Sequence, residues 1–241
     1  MKNEKSSKGL ANNYLKTAPI GQAGGVSALK IRWIEHNFSK FFKGKEAVYL
    51  DIGPGQGETL FLWKQLNFEN ISGVDISRSV CEHIKKLDFD CDLVDSTEIY
   101  LKNKKNTFDF IMLNDVVEHI SKENLAGFMI AVHEALKIDG RVIIKVPNAQ
   151  SPHFSLGRYG DLTHVQSFTE LSLTQLLKIG GFDEFIFLPE KQIKNLNIKA
   201  IISNYLIMPI YFWWIRKIRS ATYHLSPEIL TQAIIVVATK K

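Results

Sequence analysis

Two histidines and three carboxylates are the side chains here best suited to moving a proton. Asp115, Glu118 and His119 lie in the stretch N-D-V-V-E-H that begins at Asn114, and Asp161 and His164 lie in D-L-T-H. An imidazole titrates near neutrality, so it can take a proton from a hydroxyl under attack, and a carboxylate beside it can orient the ring. His164, His119 and Asp161 are therefore the catalytic candidates, His164 first, with Asp115 and Glu118 as orienting groups. A loop histidine taken alone is more often an ordinary solvated side chain, so the reading depends on what the chain places nearby. The companion feature is residues 48–60, V-Y-L-D-I-G-P-G-Q-G-E-T-L. Residues 47–50 read as a buried strand, Gly53, Gly55 and Gly57 as a turn, and residues 58–66 as a helix. Glycines at such a turn let a ligand touch bare backbone, and the amides of the following helix start favour an electron-rich group.

The details of this turn separate two kinds of nucleoside ligand. A dinucleotide fingerprint places its third glycine three positions after the second, where this chain has Glu58. Asp51, two residues before Gly53, would repel a pyrophosphate and attract a cation. S-adenosylmethionine carries an ammonium and a sulfonium and no phosphate, so the spacing favours it and disfavours a nicotinamide-dependent reductase. Asp75 closes a second strand at G-V-D, about 20 residues beyond the first glycine, where an acid can hold ribose hydroxyls. Asp95, in D-L-V-D-S after a weaker third strand, could accept from an adenine amino group.

D-I-G-P-G-Q-G, G-V-D-I and D-L-V-D-S resemble the cofactor motifs of class I S-adenosylmethionine-dependent methyltransferases over about residues 45–190. The resemblance implies a cofactor-binding set of Asp51, Gly53, Pro54, Gly55, Gly57, Asp75, Ile76, Asp95, Ser96, Asn114 and Asp115. The Thr163-His164 segment resembles one in quinone-biosynthesis O-methyltransferases, and also loops in methyltransferases of surface-polysaccharide clusters. Asp115, Glu118 and His119 align with an acid-x-x-Glu-His cluster that can hold a divalent ion in the quinone family. The first acid here is Asp, a shorter arm, and no metal ligands are assigned.

The elements that must position these groups follow the expected order. Residues 27–42 carry apolar side chains near helical spacing and read as a helix preceding the first strand. Ser77 caps a helix running to about residue 87. Residues 108–113 form an unbroken apolar strand suited to a sheet covered on both faces, and the N-D-V-V-E-H stretch follows its C-terminal end, where ligands gather in open α/β sheets. Ser121 caps a helix to residue 136, Asp139-Gly140 turns into a fifth strand over 141–146, and a long polar loop spans 151–166. A helix over 169–179 and strands over 185–188 and 233–238 complete the pattern. The expected fold is a doubly wound α/β sheet of seven strands in the order 3-2-1-4-5-7-6, with the last antiparallel to its neighbours. Residues 1–45 read as an N-terminal tail and helical cap, with a loop over 14–25 that could fold over the cofactor. Residues 46–241 read as the methyltransferase domain, with a basic-apolar insertion at 190–230.

Composition bounds the partners. With 241 residues, 45% of them hydrophobic, the chain is long enough for one sizeable core. Cys81 and Cys91 supply no disulfide framework or metal-site spacing, and the first residues lack an apolar run, so a cytoplasmic protein is expected. The net charge of +5 conceals an asymmetry. Residues 1–45 hold nine basic against two acidic side chains, 46–189 hold thirteen against twenty-one, and 190–225 hold six against one. No Lys/Arg-rich nucleic-acid motif accompanies the basic flanks, whereas an anionic membrane surface or an acidic glycan suits them. Residues 200–215 are nearly all apolar, with Trp213 and Trp214 at the end and Arg216, Lys217 and Arg219 beyond. Sixteen residues containing Pro209 make a short membrane span. An interfacial helix at the inner membrane face, or a lid or dimer contact, fits better.

The function expected is S-adenosylmethionine-dependent O-methylation of a glycan or lipid-linked acceptor. The alternatives are a quinone-like small-molecule O-methyltransferase and a non-catalytic S-adenosylmethionine-binding partner subunit. The polar loop with its two histidines favours an enzyme. The Asn-Pro-Pro-Tyr signature of some amino methyltransferases is absent after strand four, where Asn114-Asp115-Val116 stands.

Overall fold

Seven strands form one sheet in the order β3-β2-β1-β4-β5-β7-β6, as the sequence predicts. They are β1 (Val48–Ile52), β2 (Asn70–Asp75), β3 (Cys91–Leu93), β4 (Phe108–Asn114), β5 (Leu136–Pro147), β6 (Glu184–Pro189) and β7 (Ala233–Thr239). The first five strands pair in parallel, and β7 runs antiparallel between β5 and β6. The helices are α1 (Ala28–Phe38), α2 (Glu58–Gln65), α3 (Arg78–Lys86), α4 (Thr97–Lys102), α5 (Leu125–Ala135), α6 (Phe154–Tyr159), α7 (Glu170–Ile179) and α8 (Met208–Tyr223). This computed structural model describes residues 26–192, 202, 206–223 and 229–241. The N-terminal tail and the 14–25 loop lie outside the described residues, as do parts of the 190–230 insertion.

The period-two alternation of strand side chains divides the core into two layers. Leu50, Ile52, Ile111, Leu113, Ile144 and Val236 face the layer closed by α4, α5 and α7. Tyr49, Phe110, Met112, Ile143 and Val237 face the other, closed by α1, α2 and α3. Covering on both faces is why the central strands read as continuous apolar runs. An aromatic cluster of Phe42, Tyr49, Trp63, Phe68 and Phe110 seals the second layer, with Tyr49 and Phe68 stacked at 4.5 Å.

Several boundaries differ from the sequence reading. The helix expected from Ser121 starts at Leu125, because the Ser121 carbonyl accepts the Asn124 amide within a separate turn. The fifth strand begins at Leu136, because Asp139 takes a left-handed conformation and forms an irregularity that lets pairing resume upstream. The 151–166 loop is interrupted by α6. The insertion helix begins at Met208, with Pro209 in its first turn, where a missing amide costs nothing. Arg216, Lys217 and Arg219 therefore lie on the same helix as the two tryptophans rather than beyond it. Cys81 and Cys91, unrelated in the sequence reading, meet thiol to thiol at 2.7 Å between α3 and β3.

Candidate active site

The glycine turn leaves the C-terminal end of β1 with Gly53, Gly55 and Gly57 all at positive φ. Each has a different neighbour. A Cβ on Gly53 would meet Val116 at 2.9 Å, and one on Gly57 would press Ile84 at 3.0 Å, but one on Gly55 would meet nothing within 4 Å. The backbone at Gly55 thus borders open space, the cradle a bound ligand could fill. Asp51 beneath it is fully buried, and its Oδ2 has no hydrogen-bond partner. Burial pushes its pKa up to about 8, against opposing help from the Thr59 side chain and the Lys30 charge. A buried acid held neutral until a cation arrives suits a ligand carrying an ammonium or sulfonium.

Asp75 ends β2 and accepts the Ser77 amide at 2.7 Å, and burial raises its pKa to about 6. Ile76 beside it is exposed. Asn114 ends β4 with a buried Oδ1 that has no partner. Pro54 is buried in the turn. Asp95 is exposed after β3, and the Ser96 hydroxyl accepts the Ile99 amide as the cap of α4, so its side chain serves the helix. Lys30 of α1 reaches Glu58 of α2 at 3.5 Å, fastening the helical cap over the turn.

The second half of the site is built where the short 3-10 turn Val117–His119 meets the 151–166 segment. The Val165 amide donates to the Glu118 carbonyl at 3.0 Å, and Gln166 donates to the Ile120 carbonyl at 2.8 Å. Arg158 donates to the carbonyls of His164 and Val165. These bonds bring His119 and His164 together, rings edge to face with centroids 4.7 Å apart. Glu118 between them is fully buried with neither carboxylate oxygen hydrogen-bonded. Burial, and then the nearby Asp115 charge, hold its pKa well above the usual carboxylate range. His164 Nε2 lies 3.8 Å from Glu118 Oε1. Burial, reinforced by the His164 charge, lowers the His119 pKa and keeps that ring neutral near pH 7.

Asp115, expected in the cofactor-binding set and as an orienting group, is paired with a lysine. Both of its oxygens accept from Lys145 Nζ, at 2.7 and 2.6 Å. Burial alone would raise its pKa, but the Lys145 ammonium more than offsets this. Lys145 also lies 5.3 Å from the centre of the Trp33 ring, tying α1 to the sheet. A divalent ion on Asp115, Glu118 and His119 would share its first ligand with an ammonium, so that set does not fit. His164 joins Glu118 and His119 instead, and donor atoms of the three lie within 4.8 Å of one another. Lys145 went unread in the sequence, although a lone lysine inside V-I-I-K-V, in a strand buried on both faces, was the available signal.

A methyltransferase-domain family model matches residues 27–183, more than half of the chain. The chain belongs to this methyltransferase family. No curated protein sequence matches it. Among solved structures, an Archaeoglobus fulgidus SAM-dependent methyltransferase is similar, with a TM-score of 0.67 and 24% identity over 88% of this chain and 93% of that one. The Burkholderia thailandensis 1,6-didemethyltoxoflavin-N1-methyltransferase, solved with S-adenosylhomocysteine, has a TM-score of 0.57 and 16% identity over 98% and 87%. The [4+2]-cyclase SpnF matches with a TM-score of 0.62 and 14% identity over 97% and 96%. Identities this low speak to the fold, and a cyclase among the matches illustrates that a fold does not name its reaction. The methyltransferase is S-adenosylmethionine-dependent.

Proposed function

We propose that this methyltransferase transfers a methyl group to a hydroxyl of a glycan or lipid-linked acceptor presented at an anionic membrane face. S-adenosylmethionine supplies a methyl group on a sulfonium when bound. Asp51, the glycine turn of Gly53, Gly55 and Gly57, and Asp75 are the residues we assign to holding it, with Pro54, Ile76, Asn114, Asp95 and Ser96 around them. The cluster of His119, His164 and Asp161 around the buried Glu118 supports oxygen as the acceptor atom, because a hydroxyl must lose its proton during attack. We assign the base to His119 rather than His164, because the acceptor nitrogen of His164 faces the Glu118 carboxyl.

The membrane part of the reading is carried by one observation, the exposed face around α8. Leu206, Ile207, Ile210, Trp213, Trp214 and Ile218 are each about half exposed and recur at helical spacing. Arg216 and Lys217 stand exposed among them, and α8 contains no acid. Tyr211 stacks on His153 with ring centroids 5.9 Å apart, so the helix docks beside the loop that carries His164. Among the described residues no helix is long and apolar enough to cross a membrane. A face of this kind suits the headgroup region, where each basic residue adds about 1 kcal/mol near an anionic leaflet.

The expected result is co-sedimentation with anionic vesicles that weakens as salt screens the attraction, weak binding to neutral vesicles, and a large loss in the Trp213→Ala/Trp214→Ala double variant. A protein that stays in the supernatant in every case and runs as a dimer would make α8 a subunit contact. The lipid-linked acceptor would then lose its main support. In that case the small-molecule reading, consistent with the similarity to a toxoflavin-precursor methyltransferase, would take its place.

A further inference from the structure

The hydrogen bonds around His119 determine which ring nitrogen carries its proton. Asp161 Oδ1 accepts twice from Thr163, from the amide at 2.8 Å and from the hydroxyl at 2.6 Å. The hydroxyl has a single hydrogen, and a carboxylate is the strongest acceptor within its reach. With that hydrogen committed to Asp161, Thr163 Oγ1 can only accept from its other neighbour, His119 Nδ1, 3.0 Å away. We infer that Thr163 is a positioning residue that holds His119 in its Nδ1–H tautomer and so makes Nε2 the proton-accepting nitrogen of the site.

The inference rests on the assignment of His119 as base and deepens it. Asp161 then acts through Thr163 rather than touching the imidazole itself, and the pair forms a relay from carboxylate through hydroxyl to ring. Its geometry is rigid for a local reason. The double contact between Asp161 and Thr163 is an Asx-type turn at two-residue spacing, and β-branching restricts the Thr163 side chain. Partial burial of the ring lowers the His119 pKa and so favours the neutral imidazole. His164 is held in the same tautomer by a different device, its Nδ1 lying 2.6 Å from the Gly157 carbonyl, which can only accept. The second histidine therefore needs no hydroxyl partner, and a change at Thr163 acts on His119 alone.

The experiment is nitrogen-15 NMR of histidine-labelled full-length protein, which reads the tautomer of each ring directly and requires no methyl acceptor. The wild type is expected to show His119 protonated at Nδ1 and without a proton on Nε2. Thr163→Val should shift His119 toward the opposite tautomer, Thr163→Ser should restore it, and His164 should stay unchanged in both. A His119 ring protonated at Nε2 in the wild type, or unaffected by Thr163→Val in a variant whose other resonances are native, would overturn the inference. An Nε2 resonance that moves on treatment with EDTA would assign that nitrogen to a bound ion and overturn its role as acceptor. The parallel functional readout is methyl transfer from labelled S-adenosylmethionine to a panel of phenol and sugar-alcohol probes. Thr163→Val should lower kcat by about 10–100-fold, part of what a whole general base supplies, with the KM for S-adenosylmethionine unchanged. If the tautomer behaves as expected while His119→Ala keeps full turnover, the base assignment fails and the role of Thr163 in fixing the ring stands. The two failures are thus distinguishable.

Discussion

Replacing His119 with alanine is expected to lower methyl-transfer turnover by about 10²–10⁴-fold, the usual share of a general base, while cofactor affinity stays nearly constant. The separation follows from the geometry. In the proposed arrangement His119 lies on the acceptor side, bonded to Thr163 and packed edge to face on His164, whereas the glycine turn and Asp75 end β1 and β2. His164→Ala should cost less, because its acceptor nitrogen is turned toward Glu118. Turnover under saturating cofactor, together with calorimetry of S-adenosylhomocysteine binding, measures both quantities. If His164→Ala shows the larger loss, the roles of the two histidines are exchanged. If both variants keep full activity, positioning alone drives the reaction.

Asp51→Asn is expected to weaken S-adenosylmethionine binding by about 10–100-fold, the loss of one hydrogen bond to a charged partner. The wild-type affinity should also depend on pH, with a sign that can be worked out. Burial raises the Asp51 pKa to about 8 in the empty site, where the charges facing it are Glu58 and Asp75, opposed by Lys30, with Thr59 as its hydrogen-bond partner. A cationic ligand favours the ionised form, so binding releases a proton below about pH 8, and affinity rises as pH increases toward that value. Asp75, at about 6, adds to the slope at the acid end. For folding the sign is the reverse. The native state holds a proton on Asp51 that the unfolded chain has lost, so this group's contribution to stability is complete below about pH 4 and disappears as pH rises through about 8. The Asp51→Asn variant should flatten both profiles between about pH 6 and 8. Calorimetry in buffers of different ionisation enthalpy checks the proton count, and binding independent of pH in the wild type would remove Asp51 from the cofactor site.

How much of this was legible from residue types depends on the distance over which the cause acts. The turn through Gly53, Gly55 and Gly57 was readable because the reason for it is local. A strand must turn into a helix within a few residues, and only glycine takes the left-handed positions at little cost. The apolar runs of β1, β4 and β7, the last expected to be antiparallel, identified a sheet covered on both faces, and the strand order followed from the fold they resemble. Ser77 and Thr169 cap α3 and α7 by contacts three residues long, and both were visible or inferable from the helix starts. The Ser121 cap was misplaced, because a turn ending at Asn124 competes for the same residue and differs in backbone conformation rather than in composition.

The contacts around His119 and Asp115 are made at long range. His119 and Thr163 are 44 positions apart, and Asp115 and Lys145 are 30 apart. Asp115 looked available to a ligand until the parallel pairing of β4 with β5 set Asn114 beside Lys145 and supplied an ammonium for the next residue. Glu118 read as an orienting group for a neighbour, and the fold seals both of its oxygens away from water, which pushes its pKa up. Residue order was enough to read the sheet, the glycine turn and the kinds of side chain that could move a proton, because apolar periodicity and glycine stereochemistry act within a few residues. The hydroxyl beside His119, the sealed surroundings of Glu118 and the ammonium on Asp115 come from contacts between distant segments. Burial and hydrogen-bond geometry belong to groups that the chain separates and the packed sheet brings together.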